Sequence, residues 1–170
     1  MFPLAVAKTF TPGERYEEMQ QWTAPPPEVP GVWNFLGWRR TKMEPGRVEM
    51  EWEPNENHGF PAGDGYIIHG GMVTAILDKA MGGATWTLLD LNEVFLTADL
   101  RTEFYRPTLP GLVRAEGRVI HRTRRVTFAE AELFDSEGRL LAAGRATNLS
   151  IDLTDPRDLS KRGPATPERG

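Results

Sequence analysis

His69-Gly70-Gly71 stands directly ahead of a stretch with helical periodicity, and Asp78 follows nine residues after the histidine. If the glycine pair opens a helix, the first backbone N–H groups have no partner inside it and lie at the positive end of the helix dipole. Glycine lets another group approach that backbone closely. The position suits a carbonyl oxygen that gains negative charge during reaction, as in an oxyanion hole; a plain turn into a helix would use the same residues. Asp78 falls about 140° round the helix from Val73, at about 100° per residue, and so lies off the apolar stripe. Its flank is small or polar: Gly71, Thr74, Ala75, Gly82 and Thr85. Two adjacent glycines, Gly82 and Gly83, each cost a helix interior on the order of 1 kcal/mol relative to alanine. Something is therefore expected to pack or bind against this flank, with a partner helix and a merely solvated Asp78 as the alternative.

The elements that must hold these residues follow from periodicity. Val73, Ile76, Leu77, Ala80, Met81, Ala84 and Leu88 recur at three- and four-residue steps and predict a central helix from Gly70 to about Leu89. Ahead of it, residues 32–41 and 47–53 are read as two strands joined at Glu44-Pro45-Gly46, the second alternating Val48, Met50 and Trp52 with Glu49, Glu51 and Glu53. The polar, glycine-rich run from Pro54 to Tyr66 is read as a loop long enough to have a function or to move. Strand patterns follow at 94–104, 112–121, 125–134 and 139–151. One long helix among about five to six hairpin-linked strands specifies α+β: an antiparallel sheet curved round the helix, the hot-dog arrangement. Such a sheet leaves open edges, which dimerisation would finish.

Three segments are expected. Residues 1–30 form a lead-in, with Thr11-Pro12 starting a short helix that presents Tyr16, Met19 and Trp22, followed by the stiff proline-rich spacer TAPPPEVPG. Residues 31–151 form the domain, and residues 152–170 a polar, loose tail. Hydrophobic residues make up 39% of the 170, enough for a real core, and 20 basic against 24 acidic residues leave a net charge of −4, so no overall field draws nucleic acid. The absence of cysteine excludes thiol nucleophiles and thiolate zinc sites and agrees with a reducing compartment. His58, His69 and His121 have no metal-binding spacing, so neither metal nor cofactor is expected. The N-terminal MFPLAVAKTF carries Pro3, lacks a preceding basic stretch and is not read as a signal peptide; no run reaches the length of a membrane span, and a cytoplasmic protein is expected.

The strings HGGMVTAILDKAMGGA, VFLTADLRTEFYRP and GRVIHRTRRVTFAEAELFDSEGRLLAAGRAT, in that order, resemble the PaaI-like acyl-CoA thioesterases of the hot-dog superfamily, on the branch with a GY-x-x-HGG entry. The resemblance covers about residues 30–151. It implies that Asp78 is the catalytic carboxylate, acting as general base on water or as nucleophile, that Gly70 offers its N–H to the thioester carbonyl, and that His69 shapes the turn. Gly71 would border the substrate, and Thr97 falls where relatives hold the attacking water with a hydroxyl. It further implies that the carboxylate and the oxyanion donor at one substrate come from different subunits of a homodimer, or of a tetramer built from two dimers. Two departures stand out: Lys79 follows Asp78 where many relatives have glutamate, and the asparagine some relatives carry just before HGG is absent. Asn55 and Asn57 lie fourteen and twelve residues ahead of His69, so Asn57 reaches substrate only if the loop folds back.

The chemistry is coherent on its own terms. A thioester carbonyl is electrophilic enough that one carboxylate and one or two oxyanion donors suffice, and no G-x-S-x-G, Walker A or G-x-G-x-x-G string is present. The basic run Arg118, His121, Arg122, Arg124, Arg125 would serve CoA phosphates, the last three arginines above all, or form a solvated hairpin tip. Trp33, Phe35, Trp38, Trp52, Trp86 and Phe95 are read as core or as lining for an apolar or aryl acyl group rather than as a nucleic-acid platform. A non-catalytic acyl-CoA sensor and an acyl-thioester hydratase are the competing functions. Neither nucleic acid nor membrane is an expected partner.

Overall fold

The central stripe folds as a helix, but shorter than its pattern, because Thr87, Leu88 and Leu89 turn back through bonds to Gly83, Thr85 and Trp86 carbonyls. The computed structural model describes residues 9–21 and 31–155. In chain order these form α1 (Glu14–Gln20), α2 (Val32–Leu36), β1 (Arg39–Glu44), β2 (Arg47–Trp52), a 3-10 turn (Glu56–His58), β3 (Gly59–Ala62), β4 (Gly65–Ile68), α3 (Gly70–Trp86), β5 (Glu93–Phe104), β6 (Val113–Arg122), β7 (Val126–Asp135) and β8 (Leu140–Asp152). Trp22, the spacer up to Pro30 and the tail past Asp155 lie outside the described residues. Among those described, no helix is long and apolar enough to cross a membrane.

Six strands make one antiparallel sheet in the order β1-β2-β6-β7-β8-β5, so α3 carries the chain across its face from β2 to the far edge. The face toward α3 is lined by small side chains: Ala115, Gly117, Ala129, Ala131, Ala142, Gly144 and Ala146 are all buried. Small residues let the helix sink onto the strands. At Gly117 the contact is backbone on backbone, since a Cβ there would lie 2.2 Å from the Ala80 carbonyl oxygen. Val48, Met50 and Trp52 are buried as the alternation of β2 predicts.

Three expectations are corrected. Residues 32–36 are helix rather than strand: Trp33 and Leu36 are buried at a three-residue step, and Gly37, in the left-handed region at φ 70°, ends the turn. Phe35 points away from that contact and is 85% exposed, so it is not core. The loop after Pro54 contains a 3-10 turn and the β3–β4 hairpin, closed through Gly63 at φ 61°. Lastly, α1 starts at Glu14, not Pro12, because Gly13, Glu14 and Arg15 donate their N–H groups to Thr87 O, Asp90 Oδ1 and Leu89 O instead of to a local cap.

The segment before the sheet also covers α3. Lys79 lays its Nζ 3.6 Å from the centre of the Trp33 ring, and Arg15 lies 4.4 Å over Trp86 while its Nε donates 2.8 Å to Glu93 O. Burial lowers the Lys79 pKa to about 7; the Asp78 charge opposes that shift and Arg40 adds to it.

Two measurements check this packing. Gly117→Ala must push α3 off β6 and lose on the order of 1–3 kcal/mol, read as a lowered Tm, whereas Gly65→Ala, which meets nothing within 4 Å, leaves Tm unchanged. For Lys79, the folded state binds its proton more weakly than the unfolded state, so its burial penalty is complete below about pH 7 and fades as pH rises toward the ordinary lysine range. Lys79→Met keeps an apolar stem on Trp33 without the charge. It should raise Tm at pH 6 by roughly 2–4 °C per kcal/mol relieved, and by progressively less toward pH 10; an increment independent of pH would refute the desolvation account.

Candidate active site

At the entrance to α3, His69 is the N-cap, and its Nδ1 accepts the Gly71 N–H at 2.9 Å. Neutral His69 therefore carries its proton on Nε2. The carbonyl of His69 accepts from Met72 and Val73, while its own N–H donates to His58 O at 3.0 Å. The loop ahead of the helix does fold back: Asn55 caps the 3-10 turn by accepting from Asn57 N–H, His58 Nδ1 accepts from Asn55 N–H, and Asn57 stands exposed beside His58. Of the two glycine N–H groups, Gly71's is taken and Gly70's has no acceptor among the described residues. The Phe104 ring lies over Gly70, 3.2 Å from where a Cβ would be.

Asp78 projects toward the edge strand β5, where the Thr97 hydroxyl donates to its Oδ1 at 3.2 Å. A bulge between Thr97 and Asp99 controls this meeting. Thr97 pairs with Asn148 and Leu100 with Ala146, both helix-facing positions of β8, so Thr97 and Leu100 turn to the same side across an odd step. Burial pushes the Asp78 carboxyl above its usual range, and the Thr97 hydrogen bond and the Lys79 charge pull it part of the way back. The glycines on the flank are explained by packing within the chain: a Cβ on Gly82 would lie 2.9 Å from the Phe95 ring and one on Gly83 3.2 Å from Val48. Phe95 in turn meets Trp86 edge-on at 5.9 Å.

The basic run is largely paired with acids. Arg118 binds Glu130, and Arg122 donates to Glu93 at 2.9 Å. Arg124 and Arg125 border a recess of about 210 Å³ shared with Asp90, Glu93, Asp152 and Asp155, and His121 stacks on Phe128. One polar residue that the sequence reading passed over lies beside Asp78's partner: Asn148, opposite Thr97, donates to Oγ1 of Thr85, a residue of the flank already noted, at 2.8 Å. The signal was an asparagine in the inward phase of a strand whose preceding inward positions are alanine and glycine.

A carboxylate with one oxygen held by a hydroxyl leaves the other free to take a proton, and a free N–H at the start of a helix can stabilise an oxyanion. Comparison with known proteins agrees with that chemistry. Residues 65–142 match the Thioesterase superfamily family model. A protein of Saccharolobus solfataricus named as a putative esterase is 30% identical over 116 residues, 68% of this chain and 75% of that one. The proofreading thioesterase EntH of Klebsiella pneumoniae is 28% identical over 104 residues, 61% of this chain and 74% of its own. The crystal structure of a phenylacetic acid degradation-related protein of Ralstonia eutropha superposes with a TM-score of 0.69 at 28% identity, covering 79% of this chain and 98% of that one. Sequence, helix-on-sheet architecture and the chemistry available at the helix entrance converge: the chain belongs to the PaaI-like hot-dog thioesterases and is a hydrolase of thioesters.

Proposed function

We propose that the substrate is an acyl-CoA, hydrolysed to the free acid and CoA, with Asp78 as the base. The bond from Thr97 to Asp78 Oδ1 at 3.2 Å carries this reading, because it orients a half-buried carboxylate on a flank open to the edge strand. Water bound at Oδ2 loses a proton to Asp78 as its oxygen bonds to the thioester carbon. The tetrahedral intermediate then expels the thiolate, and the proton passes from Asp78 to sulfur. The Gly70 N–H, with His69 holding the turn, would receive the oxyanion.

Gly70 and Asp78 of one chain cannot act on the same carbonyl. Eight residues at about 1.5 Å per residue separate them by roughly 12 Å along a rigid helix. A second copy must supply one of the two groups. The twelve-residue edge strand β5, with Leu96, Leu100 and Phe104 exposed, supports a homodimer closed along that edge. With Arg122 engaged by Glu93, Arg124, which borders the recess beside Arg125, is the better candidate for CoA phosphates, while Gly71 and Asn57 border the entrance. The name of the Ralstonia protein, related to phenylacetic acid degradation, favours aryl acyl groups, for which Phe95, Trp86 and Phe104 offer apolar faces.

Thiol release from short, medium, long and aryl acyl-CoAs tests the reading. Release above the spontaneous rate is expected, and saturable binding without release would replace the enzyme by a sensor. Asp78→Asn should cut kcat by about 10²-fold or more, with Tm and oligomer mass unchanged. Since the base must be ionised and burial raises its pKa, activity should fall with decreasing pH above the ordinary carboxylate range. Thr97→Val removes a contact that lowers that pKa, so its acid limb should move to still higher pH. Light scattering should give an even multiple of 19.1 kDa; the monomer mass would sink the shared site.

A further inference from the structure

Asn148 is 1% exposed and Thr85 fully buried, at an interface made mostly by alanine, glycine and aliphatic side chains. A buried amide is costly unless it is well bonded, and this one is only half satisfied. Its Nδ2 donates to Thr85 Oγ1 at 2.8 Å, but its Oδ1, like the neighbouring Thr127 and Ser150 hydroxyls, has no hydrogen-bond partner among the described residues. A leucine would fill the same space with less penalty. Stability alone does not account for asparagine here.

What the bond does provide is a second strut between α3 and the strand row that holds Thr97. Thr97 and Asn148 are directly opposite each other on β5 and β8. Their partners, Asp78 and Thr85, are seven residues apart on α3, two turns along and only about 20° apart round the axis. The Thr85 hydroxyl is itself fixed, donating to Met81 O at 3.0 Å, so its lone pair is aimed at Asn148. One row of the sheet thus grips one face of the helix at two levels. A roll of about 10° would move a carboxylate roughly 6 Å from the helix axis by about 1 Å, and misplacement on that scale can cost about 10²-fold in rate.

We propose that Asn148 and Thr85 are positioning residues for hydrolysis: their buried hydrogen bond sets the roll and height of α3 and so holds Asp78 in register with Thr97. The inference rests on the reading of Asp78 as the base. It touches no substrate and changes no charge. Lys79 from α3 and the Thr97 hydroxyl from β5 are the groups that act on the Asp78 carboxyl, so a shift of its pH limb in an Asn148 or Thr85 variant reports geometry rather than altered charge.

The decisive variant removes both partners, since replacing a buried polar pair by apolar groups of similar shape can be neutral for stability where removing one is not. Thr85→Val combined with Asn148→Leu should keep the parental Tm and oligomer mass. Its kcat on benzoyl-CoA, or on the acyl-CoA released fastest in the panel, should fall about tenfold or more with KM within about twofold, and its acid limb should shift upward as in Thr97→Val. Thr85→Ser, which keeps the hydroxyl, should retain the parental kcat. A folded double variant with parental kcat and parental pH limb would overturn the proposal. If the double variant does not fold, a folded Thr85→Val decides: parental kcat overturns the proposal, while loss there with retention in Thr85→Ser supports it. Asp78→Asn measured alongside separates the two levels, because full activity in that variant removes the base itself, whereas loss there beside an active double variant removes only the positioning role.

Discussion

Everything in this chain depends on a helix backbone lying directly on a strand backbone. At Gly117 the sheet offers no side chain, and the Ala80 carbonyl occupies the space a Cβ would need. The same economy of size extends along β7 and β8, where alanines and Gly144 face α3. A helix seated this deeply is in contact over most of its circumference, and only the two flanks of its apolar stripe remain to carry polar groups. Interiors packed to this density transmit displacements rather than absorb them, so the position of any group on those flanks is decided by the seat.

The two flanks are occupied by neighbours of opposite charge. Asp78 leans toward β5 and meets a hydroxyl; Lys79, the next residue, leans the other way under Trp33 of α2. Burial acts on both in the sense that disfavours charge, raising the carboxyl and lowering the ammonium to about 7, while each charge partly steadies the other. Lys79 thus replaces the acid that many relatives carry beside the aspartate with a cation capped by an aromatic ring. The short α2 helix, outside the sheet and ahead of it in sequence, is therefore part of the electrostatic environment of the candidate site.

A rigid helix also separates what it positions. Its N-terminus presents the free Gly70 N–H and its middle presents Asp78, and the rise of the helix keeps the two too far apart for one small reacting group. On the proposed reading, this distance makes function a property of two chains and gives the long exposed β5 edge its role. A monomer would leave Leu96, Leu100 and Phe104 in water beside an aspartate with no substrate to act on.

Patterns set by local physics were legible in the residues themselves. The three- and four-residue steps from Val73 to Ala84 specify α3, the alternation of Val48, Met50 and Trp52 specifies β2, and Gly46, at φ 77°, closes the turn expected of it. The fold class and the pairing of His69 with the helix entrance followed from such signals. Other features needed the assembled structure. VWNFL reads as strand until Trp33 finds Lys79, and a glycine-rich stretch reads as loop until β3 and β4 meet. Arg122 looks available for phosphate until Glu93, 29 residues earlier, reaches it. The same holds for Thr97 on Asp78 and Asn148 on Thr85, contacts across 19 and 63 residues. Periodicity is a property of neighbours along the chain, whereas a bulge that turns Thr97 inward and a buried amide that fixes a helix exist only once distant segments are brought face to face.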